Sequence, residues 1–154
     1  MLKIVFLIDD DPDDREFFEE AIHAWNAATE VCFARDGVEG LEVLNGGKIQ
    51  PDVIFLDYNM PRMNGVQCLH QLKASHKTRD IPVIMYTTSG NRTDEEGILL
   101  IGADYYMQKT WSFNQLCGEL ERLLLQVEQK LQSNLKYRDG QANVPDTNEE
   151  TYPR

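Results

Sequence analysis

Reactive residues follow four short apolar runs in this chain. Asp9, Asp10 and Asp11 come after KIVFLI, Asp57 after VIFL, Thr87 and Thr88 close PVIMYTT, and Lys109 comes after DYYMQ. If the runs are strands of one parallel sheet, these residues meet on one rim. Three or more carboxylates held together repel unless a cation neutralises them. Hard oxygen ligands with room for water suit Mg²⁺. Such a metal also neutralises charge on an incoming phosphoryl group, and a carboxylate at the centre can attack phosphorus to form an aspartyl phosphate. Phosphoryl transfer needs mainly positioning and charge stabilisation. A lysine adds one more cation, and a threonine hydroxyl can donate to a phosphoryl oxygen. Each residue also has a plainer reading. Asp11 suits a helix N-cap, Asp57 can open the turn before Met60-Pro61, Lys109 can sit on the surface, and Thr87 can simply end a strand. The case for chemistry rests on the four occurring together.

The elements that must position them are legible in the pattern. Lys3 to Ile8 is a continuous apolar run, as expected of a buried strand. Asp11-Pro12 follows as N-cap and first helical residue, and Phe18, Ile22 and Trp25 lie on one helical face. Glu30 to Ala34 reads as a second strand, with a short helix carrying Val38, Leu41 and Leu44 that stops at Gly46-Gly47. Val53 to Leu56 is a third strand. Asn64-Gly65 turns the chain into a helix with Val66, Leu69 and Leu72 on its face. Pro82 to Thr87 is a fourth strand. A weaker helix over Thr93 to Ile101 ends at Gly102, which suits a C-cap. Asp104 to Gln108 is a fifth strand, and Leu116, Leu120, Leu123, Val127 and Leu131 stripe a long last helix. Five strands alternating with five helices predict a doubly wound α/β fold with a parallel sheet covered on both faces. In such sheets ligands gather at the carboxyl ends of the strands, near the switch in strand order.

Composition narrows the function. The 154 residues suit one domain, and 42% apolar content supports an ordinary core. The net charge of −11 argues against nucleic acid and anionic membrane surfaces as direct partners. No apolar run is long enough to span a bilayer, and the first one ends at three aspartates, unlike a signal peptide. Cys32, Cys68 and Cys117 form no metal or CxxC pattern. They read as buried thiols of a reducing cytoplasm. From Gln132 onward the periodicity dissolves, so residues 132–154 are expected to be a disordered tail after a domain over 1–131.

At these residues the sequence resembles the receiver domains of two-component response regulators, with the fold of the chemotaxis response regulator. The likeness runs from about Lys3 to Leu131. It rests on LIDDDPDD from Leu7, VIFLDYNMPRMNG ending at Gly65, PVIMYTT ending at Thr88 and GADYYMQK ending at Lys109. The resemblance implies a flavodoxin-like strand order 2-1-3-4-5. It implies Asp57 as phosphoacceptor and metal ligand, and Asp9 and Asp10 as the acidic pair holding Mg²⁺, Asp10 directly and Asp9 through water. The Asn59 backbone carbonyl is a further ligand, Thr87 is the switch hydroxyl, Tyr106 the aromatic switch and Lys109 the phosphate-binding lysine. It also implies a histidine kinase or phosphotransfer protein upstream and catalysis only of the domain's own phosphorylation and dephosphorylation. No helix-turn-helix pattern or basic patch follows, so output is expected through an unknown protein partner. A possible homodimer would use the face of the fourth helix, fifth strand and fifth helix.

Two positions depart from the family's pattern. Its lysine is usually followed by a cis proline, whereas Thr110 follows Lys109. The residue after the switch hydroxyl is often small, and here it is Thr88, which can narrow water's access to the phosphate. Rival readings are a non-phosphorylated interaction module and a haloacid-dehalogenase-like phosphatase with Asp9 and Asp11 as its motif. The second needs further acids on a strand after Lys109, where the sequence shows a helix. A flavin site is disfavoured because aspartates after strand one would repel a flavin phosphate.

Overall fold

In the computed structural model, which describes residues 1–88 and 92–141, five strands alternate with five helices. They are β1 (Ile4–Ile8), α1 (Pro12–Trp25), β2 (Glu30–Ala34), α2 (Gly37–Asn45), β3 (Val53–Asp57), α3 (Gly65–Ala74), β4 (Val83–Thr87), α4 (Arg92–Leu100), β5 (Tyr105–Gln108) and α5 (Phe113–Gln141). All strand pairs are parallel, in the order β2-β1-β3-β4-β5. The predicted doubly wound, flavodoxin-like α/β fold is therefore the observed one.

The central strands are buried on both faces, which explains why they read as unbroken apolar runs. Side chains alternate between two cores. Val5, Leu7, Val53, Phe55, Ile84 and Tyr86 join the core shared with α1 and α5. Phe6, Ile8, Ile54, Leu56, Val83 and Met85 join the core shared with α2, α3 and α4. An edge-to-face contact of Phe18 with Phe55, centroids 4.8 Å apart, ties α1 to β3. This packing fixes the strand ends, and with them the loops that carry the polar residues.

Local signals set the helix starts. The Asp11 side chain accepts from the Asp13 and Asp14 amides ahead of Pro12. Asn64 and Gln67 form a reciprocal capping box on α3. Gly102, with φ of 111°, takes the left-handed conformation that a turn out of α4 requires.

The last helix differs from the sequence reading. α5 continues through Gln141, so residues 132–141, expected to begin a tail, are helical. Leu135 prolongs the i, i+4 step from Leu131 but is 60% exposed, as is most of Tyr137. A helix with no core to face leaves no apolar stripe, so periodicity alone did not reveal it. The remainder of the expected tail, residues 142–154, lies outside the described residues.

Candidate functional site

The strand order reverses between β1 and β3, and the crevice at their carboxyl ends holds the acidic residues. Asp9 follows β1 and is fully buried; Asp57 ends β3 and is 7% exposed; Asp10 is exposed at the mouth. Carboxylate oxygens of Asp9, Asp10 and Asp57 all lie within 4.8 Å of one another. This all-oxygen donor set, open to water on the Asp10 side, fits a hard divalent cation such as Mg²⁺.

The Lys109 ammonium reaches into the same cluster. Its Nζ stands 2.7 Å from Asp9 Oδ2, 2.8 Å from Asp14 Oδ2 and 3.4 Å from Asp57 Oδ1. It also lies 5.2 Å from the centre of the Tyr86 ring, a cation–π contact. Burial works against the lysine's charge, but its hydrogen bonds to Asp14 and Asp9 and the charge of Asp57 outweigh it and hold Lys109 above the usual lysine range. Burial pushes the Asp57 carboxyl up to about 7; Lys109 opposes the rise and the Asp9 charge adds to it. Burial likewise raises Asp9, against the pull of Lys109. One lysine does not balance the carboxylates around it, so the site has capacity for further positive charge.

Most of the sequence-derived residues meet in this place. Thr87 is buried at the end of β4, and its carbonyl accepts from the Lys109 amide at 2.7 Å, which fixes the start of the β5–α5 loop. Asn59 is exposed in the β3–α3 loop. Tyr106 pairs with Met85 in the β4–β5 ladder and packs, half-buried, against the core on the α2–α4 side. Thr88 is exposed and, with Asp14, Phe17, Tyr86 and Trp111, lines a cavity of about 360 Å³ beside Lys109. The Lys109–Thr110 peptide is trans, as are all the bonds between described residues. Lys109 is held by the bond of its amide to Thr87 and by its side-chain partners.

Sequence reading missed three contributors. Asp14 binds Lys109, although at the first turn of α1 it looks like an ordinary helix-terminus acid. The Arg15 guanidinium donates to the Asp9 carbonyl at 2.8 Å and registers α1 against the end of β1. Arg62, at a left-handed φ of 64°, clasps Asp36, the N-cap of α2, through Nε at 2.9 Å and through Nη2. That pair ties the loop after Asp57 to a neighbouring helix. Its members lie 26 residues apart in the chain, and only the fold reveals it.

A five-stranded parallel α/β fold with an acidic pocket and a lysine at its carboxyl edge defines a class, and comparison with known proteins agrees. The response regulator receiver domain matches residues 5–121. The chain belongs to this family, whose members are not conventional enzymes. It is 30% identical over 124 residues to the DNA-binding dual master transcriptional regulator RpaA of Synechocystis, covering 80% of this chain and 50% of that protein. It is 31% identical over 120 residues to the transcriptional regulatory protein CpxR of Escherichia coli, covering 78% and 48%. The chain therefore spans about half the length of these relatives. Among solved structures, the phosphorylated cyanobacterial phytochrome response regulator RcpA superposes with a TM-score of 0.72 at 27% identity, covering 80% of this chain and 91% of that one. The chemotaxis response regulator CheY4 of Vibrio cholerae gives 0.67 at 26%, covering 79% and 98%. No helix among the described residues is long and apolar enough to cross a membrane.

Proposed function

We propose that this chain accepts a phosphoryl group on Asp57 from the phosphohistidine of a kinase or phosphotransfer protein and signals by protein–protein contact. The observation that carries this reading is the setting of Asp57: buried at the end of β3, grouped with Asp9 and Asp10, and 3.4 Å from the Lys109 ammonium. An Asp57 carboxylate oxygen attacks phosphorus, the bond from phosphorus to the donor nitrogen breaks, and that nitrogen keeps the electron pair. Asp9, Asp10, Asp57 and the Asn59 carbonyl would hold Mg²⁺. When bound, the metal supplies charge neutralisation at the phosphoryl oxygens. Lys109 supplies a second positive charge, and the Thr87 hydroxyl meets a phosphoryl oxygen. Motion of Thr87 toward the phosphate, with Tyr106 turning inward, biases an equilibrium already present in the α4–β5 face. A homodimer through α4, β5 and α5 is one form such output can take, in a cytoplasmic setting.

The test is intact mass after incubation with acetyl phosphate and Mg²⁺. The parent should gain one phosphoryl group only with the metal, and Asp57→Asn should gain none. Should neither small donors nor a phosphohistidine protein label the parent, the chain is an interaction module that works without phosphorylation.

A further inference from the structure

Resting on the assignment of Asp57 as acceptor, we infer that Asp14 is a positioning residue that anchors Lys109 and aims it at the phosphoacceptor. An ammonium carries three N–H donors and no acceptor. Two of those of Lys109 are engaged at short distance, by Asp9 Oδ2 at 2.7 Å and Asp14 Oδ2 at 2.8 Å. The third is left for Asp57 Oδ1, at a looser 3.4 Å. With two donors fixed, the direction of the third is fixed as well, and a phosphoryl oxygen on Asp57 is the acceptor it then serves.

Asp14 itself is firmly placed. It sits in the first turn of α1, its amide donating to the N-cap Asp11 at 3.3 Å. The next residue, Arg15, bonds the Asp9 carbonyl, so Asp14 and Asp9 share one rigid frame. Farther along, Phe17 packs edge-to-face on Phe113 of α5, centroids 5.7 Å apart. Lys109, by contrast, has a flexible four-carbon stem and precedes Thr110 through a trans bond. No proline ring follows it; the Thr87 carbonyl holds its amide, and the restraint on the ammonium end comes from its side-chain partners. Asp14 also places a negative charge near an anionic donor, which by itself would slow phosphoryl uptake. Anchoring and repulsion therefore predict opposite effects of its removal.

The experiment compares Asp14→Ala and Asp14→Asn with the parent, as full chains. One readout needs no phosphoryl transfer: the ¹H–¹⁵N signal of the Lys109 side-chain ammonium, assigned by its absence in Lys109→Met. The signal should be visible in the parent and in Asp14→Asn, which keeps an acceptor oxygen, and should be lost to fast exchange in Asp14→Ala. The second readout is the rate of labelling against acetyl phosphate concentration with Mg²⁺. Asp14→Ala should lower the maximal rate about tenfold with little change in half-saturation, as misplacement of a catalytic group does, and Asp14→Asn should restore most of it. An unchanged ammonium signal in Asp14→Ala, or faster labelling in both variants, overturns the inference. If the signal depends on Asp14 as described but neither acetyl phosphate nor a phosphohistidine protein labels the parent, the anchor stands and the phosphoacceptor reading falls.

Discussion

Lys109 Nζ stands 3.4 Å from Asp57 Oδ1, a contact that joins the ends of β5 and β3 across the intervening β4. Both side chains are largely buried, 11% and 9% exposed, so the pair gains little from water. The lysine also serves Asp9 and Asp14, and its single charge is spread over three carboxylates. A carboxyl whose pKa is raised on folding destabilises the fold when ionised. The penalty is absent below the ordinary carboxylate range and complete above about pH 7 for Asp57. Asp57→Asn should therefore stabilise the metal-free protein at pH 8 by about 1–4 kcal/mol. Lys109→Met should destabilise it by about 3–5 kcal/mol, because it strands the buried carboxylate of Asp9. Urea midpoints with and without Mg²⁺ check both, and the metal should narrow the two gaps by neutralising the cluster. A metal-free Asp57→Asn that unfolds earlier than the parent would show that Lys109 already balances the site.

Gly65 begins α3 directly beneath the phosphoacceptor. A Cβ there would run into the Asp57 carbonyl oxygen and stand 2.8 Å from Tyr58 Cα. Both obstacles are backbone and cannot rotate aside. Gly65→Ala should cost about 1–3 kcal/mol as an overpacked site does, and it should slow phosphoryl uptake by shifting Asp57. Gly97→Ala is the matched control. Its new methyl meets nothing within 4 Å on the exposed face of α4, and the change should add about 0.5–1 kcal/mol. Thermal melts and labelling rates of the two variants separate crowding at the site from a general effect of helix composition.

The sequence is most informative where burial and function coincide. Val53 to Leu56 is wholly apolar because β3 lies between two cores, and Asp57 is conspicuous as the first charge after it. The same contrast marks Asp9 and Lys109. Residues whose role is tertiary leave no such mark. Asp14 reads as a favourable acid at a helix start whether or not a lysine reaches it. Arg62 reads as a loop residue until Asp36 is seen opposite. The end of α5 carries Leu135 and Tyr137 on the surface, so the helix continues without the stripe that announces its earlier turns.

Thr88 follows the buried Thr87 and faces the cavity beside Lys109. Hydrolysis of an aspartyl phosphate needs a water in line with the bond to Asp57 oxygen, and the branched Thr88 side chain, on the Lys109 side of the site, would narrow that approach. Thr88→Ala should shorten the lifetime of the phosphorylated state several-fold while leaving the labelling rate with small donors nearly unchanged. Decay of the mass shift after donor removal measures the lifetime directly. Equal lifetimes in variant and parent would remove Thr88 from any role in dephosphorylation.

Asp104 gives the pH dependence a second origin, away from the acidic pocket. Its Oδ2 accepts from Lys73 Nζ and from the Val83 amide, each at 2.9 Å, and its Oδ1 accepts from Lys130 Nζ at 2.7 Å. One carboxylate thus ties α3, β4 and α5 together just before β5. Burial disfavours its charge, but the bonds from Lys130, Val83 and Lys73 outweigh burial and hold the carboxyl below the usual range. A depressed carboxyl contributes stability that is complete above its unfolded pKa, near 4, and that is lost as pH falls through the folded value. Asp104→Asn should cost about 1–3 kcal/mol at pH 7, where charge-assisted hydrogen bonds are broken. The deficit should shrink below about pH 4 as the parent's own carboxyl is protonated. Urea unfolding of both proteins from pH 7 downward measures this, with Lys130→Met expected to show a smaller deficit that closes over the same range. A deficit that stays constant down to the acid limit of folding would mean that Asp104 acts through packing and not through its charge.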